Sequence, residues 1–280
     1  MNYILETKVA ITSKRPQTTR FKIMGIKTTE KSQMIFLDTP GIHKPDSILG
    51  DTIVDHSVSS IREANVILFL IDGHRGWNKE DTDLYEKYLK KRVEDTPVIL
   101  VINKVDIIDK TKLFNKMMDI QNKGYVFDEY IPVSAFDGSN VKKLLELIEE
   151  RLPVGDAIFD EEEVTNIPFK TMISETLREK ILRNSYNEIP HSVAVYIEDF
   201  RDGDKSDRAK VLDIAIYVER DSQKGILVGK KGEFLKKISK ETRDEIFDLY
   251  GINLFMNIQV KVKKDWKDKK EFIDLLGYKF

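Results

Sequence analysis

The 280-residue chain contains no cysteine, which excludes disulfides, thiolate metal sites and a cysteine nucleophile, and fits a reducing compartment. Its four histidines are scattered and cannot replace such ligands. No apolar run approaches the roughly 20 residues needed to span a bilayer, and no basic stretch followed by an apolar one opens the sequence. The expectation is therefore a soluble, unexported, cytoplasmic protein. Also missing is any match to G-x-x-x-x-G-K-[ST], the loop that cradles nucleotide phosphates.

Charge is plentiful, at 34% of residues, and its net value of −2 hides an asymmetry. Residues 168–280 carry 23 Lys and Arg against 20 Asp and Glu, about +3, which leaves −5 for the rest. Two domains with separate cores fit this length. Apolar runs at Met34–Leu37, Val66–Ile71, Val98–Ile102 and Ile131–Val133 are short and rich in Ile and Val, as buried strands are. Stretches of helical length and spacing at Asp51–Ala64, Glu80–Lys91, Lys112–Lys123 and Val141–Leu152 alternate with them. Alternation of this kind predicts a doubly wound α/β domain over residues 1–152. A linker with Pro, Gly and the acidic run Asp160–Glu163 follows at 153–168.

Residues 169–280 predict a small α+β domain. Its expected elements are a helix (Phe169–Arg183), strands at Ser192–Phe200 and Lys210–Glu219, a short helical turn into a Gly-rich loop, a helix (Glu233–Tyr250) and a strand (Asn253–Lys263). No repeats or low-complexity tracts interrupt the chain.

Two short motifs stand at strand ends in the first domain. In Asp38-Thr39-Pro40-Gly41, followed by Ile42, the glycine lets the backbone approach a phosphate while Asp38 holds Mg²⁺ directly or through water. Taken alone, D-T-P-G is equally a strand-to-loop turn with Pro fixing φ. In Asn103-Lys104-Val105-Asp106 the last carboxylate suits the ring N–H and exocyclic amine of guanine and repels adenine, and Lys104 lays its stem along the base. Taken alone, N-K-x-D is equally a solvated loop. Val133-Ser134-Ala135 ends the next strand, where a backbone amide at Ser134 or Ala135 can reach the base carbonyl. Three such motifs at three strand ends make a guanine-nucleotide site the stronger interpretation.

In the second domain Ile226-Leu227-Val228-Gly229-Lys230-Lys231-Gly232 precedes a helix whose Leu235, Ile238 and Ile246 share one face. This is the G-x-x-G loop of a KH domain: the glycines bring the backbone close to a single strand's phosphates, and Lys230, Lys231 and Lys236 neutralise them. Two glycines three apart more often form a simple turn, but the element order here is that of the type II KH fold. Six Lys and one acid lie between Lys224 and Lys240. Lys261, Lys263, Lys264, Lys267, Lys269 and Lys270 either extend the track or form a solvated tail. Trp77 and Trp266 are read as packing anchors, and His43 as a loop residue, not a ligand.

Over its whole length the sequence resembles the Era GTPases, ribosome-assembly proteins with a C-terminal type II KH domain. Gln17-Thr18-Thr19-Arg20 resembles the family's first switch, in which Thr18 or Thr19 is ordered by the metal and the terminal phosphate; Thr19 joins Asp38 as an expected metal ligand. Asn2-Tyr3-Ile4-Leu5 resembles the end of the helix that follows the family's phosphate loop, so the chain reads as truncated before it. The resemblance implies GTP or GDP with Mg²⁺, slow hydrolysis without a glutamine after D-T-P-G, and binding of the 3′ end of 16S ribosomal RNA during 30S subunit assembly. It also implies a monomer with peripheral contact at the inner membrane. Hydrolysis is not expected of these 280 residues, because the loop holding the β and γ phosphates is not among them.

In the family's sheet the first strand lies between those ending at Asp38 and near Asp72, so a gap is expected there, with unpaired edges. An alternative is a single-stranded-RNA-binding protein that uses a relic GTPase domain as scaffold, independent of nucleotide; Asn103 and Asp106 argue against it.

Overall fold

The computed structural model describes all residues except 14–17, 43, 91–95, 186–188, 204–205 and 279–280. The chain forms two compact units, each made of three segments. The first gathers Met1–Thr7, Gly25–Leu37 and Ser57–Val164; the second gathers Lys8–Met24, Asp38–His56 and Thr165–Phe280.

The first half of the chain runs α1 (Asn2–Leu5), β1 (Ile23–Thr28), β2 (Gln33–Asp38), α2 (Ile48–Glu63), β3 (Ile67–Asp72), α3 (Lys79–Leu84), β4 (Val98–Asn103), α4 (Lys110–Asn122), β5 (Glu129–Pro132) and α5 (Val141–Glu149). β1 escapes sequence detection because Gly25 interrupts its apolar pattern and Lys27 and Thr28 end it. The helix expected at 80–91 is instead α3 followed by one π-helical turn, Tyr85–Leu89.

β4 is the axis of the first unit. Residues 98–102 are all buried, with β3 and β5 paired in parallel on its two sides. Because side chains alternate along a strand, Val98, Leu100 and Ile102 pack with Tyr85, Leu89, Ile120 and Phe127. Ile99 and Val101 pack on the other face with Met34, Ile131, Leu144 and Ile148. Such a strand needs apolar residues at every position, which is why its run in the sequence is unbroken.

β1 and β2 form their own two-stranded sheet, separate from β3–β4–β5. The expected gap is thus present: among the described residues β3 pairs only with β4, and its Leu70 is 57% exposed. Residues 1–152 expressed alone carry this open edge and lose the partners that segments 8–24 and 38–56 have in the second unit. Far-UV circular dichroism of that fragment is expected to show no cooperative thermal transition, whereas the 280-residue chain melts cooperatively.

The second unit contains α6 (Phe169–Asn184), α7 (Ile189–Ser192), β6 (Ala194–Gly203), β7 (Ser206–Val218), α8 (Asp221–Val228), α9 (Glu233–Tyr250), β8 (Asn253–Val262) and α10 (Lys270–Leu275). β7 is central, antiparallel to β6 and parallel to β8. α6, α8 and α9 bury Ile173, Leu177, Ile181, Leu227, Ile238 and Ile246 against Leu212, Ile214 and Ile216. Of the two readings open for the lysines after 260, a plain tail is set aside for residues up to 275: the stretch is folded and includes α10, although Lys264, Lys269 and Lys270 remain exposed. Trp266 is fully buried and donates its indole N–H to the Ser192 carbonyl at 2.9 Å, as expected of an anchor. Around it pack Phe272 and Ile273 from α10, Leu276 just after that helix, and Leu49 and Ile53 from α2.

Lys8 and Thr12 are tied into this unit by two acids. The fully buried Glu179 of α6 pairs with Lys8, meets Arg183 at 2.8 Å, and accepts the Thr12 amide at 2.7 Å. Glu245 of α9 pairs with Lys8 and Lys180. Burial pushes the Glu245 carboxyl up, but these two ammonium groups outweigh it and hold it below the usual carboxylate range. A depressed folded pKa contributes stability that is present above the unfolded value of about 4.3 and is lost as pH falls through the folded one. Glu245→Gln is therefore expected to cost about 1–3 kcal/mol at pH 7, with the deficit shrinking below about pH 4. Urea unfolding at both pH values checks this.

Candidate nucleotide and nucleic-acid sites

In the first unit, the loop after β4 and the loop after β5 are bonded to each other. Asn103 Oδ1 accepts the Lys104 amide at 2.8 Å and the Ala135 amide at 2.9 Å. Asn103 is therefore a brace between loops. The Ser134 hydroxyl, fully buried, donates to Asp106 Oδ1 at 2.8 Å. Ser134 Oγ also accepts the Phe136 and Asp137 amides at 3.3 and 3.2 Å. Val105 N–H reaches the Val133 carbonyl at 3.2 Å, completing the junction.

Asp106 is exposed, and Ser134 occupies only one of its oxygens among the described residues. The carboxylate is thus fixed in direction and keeps acceptor capacity for two donors on one ligand edge. Lys104 lies beside it in the left-handed region, φ 69°, where a side chain is strained and local bonding has to hold it. The Ala135 amide, a candidate for the base carbonyl, already donates to Asn103, so any contact with a base would be shared.

Sequence reasoning missed Gly73 and Gly138. A Cβ on Gly73 would lie 2.8 Å from the Asn103 carbonyl oxygen, and one on Gly138, φ 86°, would overlap the Tyr3 ring. Both glycines permit close approaches that shape the base loops. It also missed Asp72, whose carboxylate meets the Lys104 ammonium at 2.8 Å. Only the register of β3 on β4, which pairs Asp72 with Asn103, reveals that proximity.

In the second unit Asp38 ends β2, and the Thr19 hydroxyl donates to its Oδ2 at 3.5 Å. Burial raises the Asp38 carboxyl above its ordinary value. Two hard oxygens, a hydroxyl and a carboxylate, fit a partial Mg²⁺ site whose other ligands would come from water or phosphate. Among the described residues no group of three or more His, Asp or Glu forms a complete metal cage. Thr39 and Ile42 are half-buried and Pro40 is buried. Gly41 has open space where a Cβ would sit, so packing does not demand glycine there. Thr19, Arg20, Pro40, Gly41, Ser47 and Lys267 help line a cavity of about 80 Å³. Thr18 is held through its carbonyl by Arg178, while Gln17 and His43 lie outside the described residues.

The G-x-x-G loop joins α8 to α9. Gly229 has φ 71°, Lys231 φ 53° and Gly232 φ 77°. A Cβ on Gly229 would sit 3.0 Å from Phe234 Cβ and 3.1 Å from its backbone nitrogen, so both space and dihedral require glycine. Lys230, Lys231 and Lys236 are exposed, and Ile226 beside them is 56% exposed. That combination offers cations for phosphates and an apolar surface for bases. Of the later lysines, Lys261 pairs with Glu198, Lys267 with Glu219, and Lys263 sits 4.0 Å over the Phe272 ring, which leaves Lys264, Lys269 and Lys270 as the more available cations.

Residues 1–104 match the family model described as 50S ribosome-binding GTPase, and residues 188–267 match the KH domain model. A crystal structure of Era with MgGDPNP and nucleotides 1506–1542 of 16S ribosomal RNA superposes with a TM-score of 0.95 at 36% identity. Another, of a point variant of Aquifex aeolicus Era bound to GDP·AlF4⁻, gives the same values. In each case all of this chain and 93% of the other are covered. The chain belongs to the Era family, a GTPase-type domain followed by a KH domain.

Proposed function

We propose that this chain binds guanine nucleotide with Mg²⁺ and the 3′ end of 16S ribosomal RNA, and that it serves assembly of the 30S subunit. The observation that carries this is the fixed Asp106 carboxylate, bonded to Ser134 and braced through Asn103, in a chain that also holds a glycine-demanding G-x-x-G loop flanked by exposed lysines. Full-length similarity to an Era solved with MgGDPNP and that RNA supports pairing the two ligands. Thr19 and Asp38 would hold the metal, which when bound neutralises phosphate charge. Asp106 accepts from the base edge, Lys104 covers its face, and Gly41 leaves the backbone open to phosphate. With Asp38 committed to the metal and Ile42 following Gly41, the D-T-P-G segment offers no further side chain to act as a base, so its part in binding is positioning and charge neutralisation.

The test is fluorescence anisotropy with an RNA of the 16S 3′ end and a scrambled control, together with competition between GDP and ADP. Preference for the authentic RNA and for guanine is the expected result; equal binding of both RNAs, or of both nucleotides, overturns the corresponding half. Action as a monomer on 30S precursors is part of the same proposal and predicts co-sedimentation with them. Peripheral membrane contact rests only on the basic surface of the KH region.

A further inference from the structure

We propose that Asp72 is a positioning residue for guanine recognition, acting through Lys104 by holding its side chain ready along the face of the base. This deepens the guanine-nucleotide reading and rests on it.

Asp72 closes β3 and is itself immobilised. Its Oδ1 accepts the His74 amide at 2.9 Å and the Arg75 amide at 3.3 Å, and its carbonyl accepts the Gly76 amide at 2.8 Å. The other carboxylate oxygen, Oδ2, is left for Lys104 Nζ at 2.8 Å. The turn carrying Asp72 is fastened a second time by Lys116, whose ammonium donates to the Gly73 and His74 carbonyls at 2.8 and 2.5 Å. Burial pushes the Asp72 carboxyl up, but Lys104 and the two amides outweigh it and keep it below the ordinary carboxylate range.

Lys104 is fixed at its other end by its left-handed backbone and its bond to Asn103. A lysine stem has large rotamer freedom, and here both ends of it are tied. The lysine side of the pair is exposed, 53%, and the aspartate side half-buried, 24%; ion pairs that open to solvent contribute little to folding stability. Its consequence is to order the lysine before ligand arrives, so that binding does not have to.

The experiment measures fluorescent GDP and ADP binding to the 280-residue chain, Asp72→Asn, Lys104→Gln and the double variant. Asparagine keeps an oxygen acceptor for the His74 and Arg75 amides but loses the charge; Lys104→Gln breaks the same pair from its exposed end, and thermal unfolding confirms that each variant is folded. Asp72→Asn is expected to weaken GDP about three- to tenfold, the scale of ordering one flexible side chain on binding, and to have no further effect in the Lys104→Gln background. Unchanged GDP affinity in Asp72→Asn, or equal losses with and without Lys104, overturns the proposal alone. Failure of the unaltered chain to prefer GDP over ADP overturns the guanine reading and this one with it.

Discussion

Asp106→Asn is expected to reduce the preference of the chain for guanine over adenine nucleotides by roughly 10²–10⁴. The carboxylate accepts two hydrogen bonds from one guanine edge, and bonds to a charged acceptor contribute about 1.5–3 kcal/mol each. An amide at this position keeps one acceptor and turns an N–H group toward the guanine amine. The fold should tolerate the change, because Ser134 donates to Asp106 Oδ1 and the asparagine carbonyl accepts the same bond. Competition between GDP, xanthosine diphosphate and ADP for the variant separates outcomes: xanthine, whose carbonyl replaces the amine, should gain relative to guanine. An unchanged order of affinities would place base recognition elsewhere.

The second large effect concerns RNA. Replacing both Lys230 and Lys231 with Asp should lower affinity for the single strand by roughly 100-fold or more near 0.1 M salt, and should lower the salt slope by about two counterions. Both lysines are exposed, and the melting temperature should hold because aspartate tolerates the left-handed backbone at position 231, φ 53°. Anisotropy titrations at three ionic strengths give affinity and slope together. A loss of affinity without a change in slope points to a distorted loop, and unchanged affinity rejects the loop as the contact.

Much of this was legible because periodicity and glycine spacing are local. The β4 run, the N-K-x-D ending and the G-x-x-G turn each sit within a few residues, and the structure places them at the end of a strand and between two helices. What stayed hidden depends on register and chain crossing. Asp72 lies 32 residues from Lys104 and meets it only because β3 and β4 pair in parallel. Trp266 could be read as an anchor, but not the α10 helix packed around it, because the lysines crowding 263–270 mask the apolar spacing of Phe272, Ile273 and Leu276. The contacts of Lys8 and Thr12 with α6 and α9 run through Glu179 and Glu245, acids that in sequence resemble any solvated helix face.

Those two acids also set a timetable. Lys8 bonds to Glu245 across 237 residues, and a contact of that separation forms only after the chain between has been made. At about 5–20 residues per second of synthesis, the first segment waits roughly 10–50 s for its partner helix to exist. Throughout that interval Lys8 lacks the Glu245 carboxylate that α9 supplies. Slowing translation anywhere between Lys8 and Glu245 lengthens that interval in proportion.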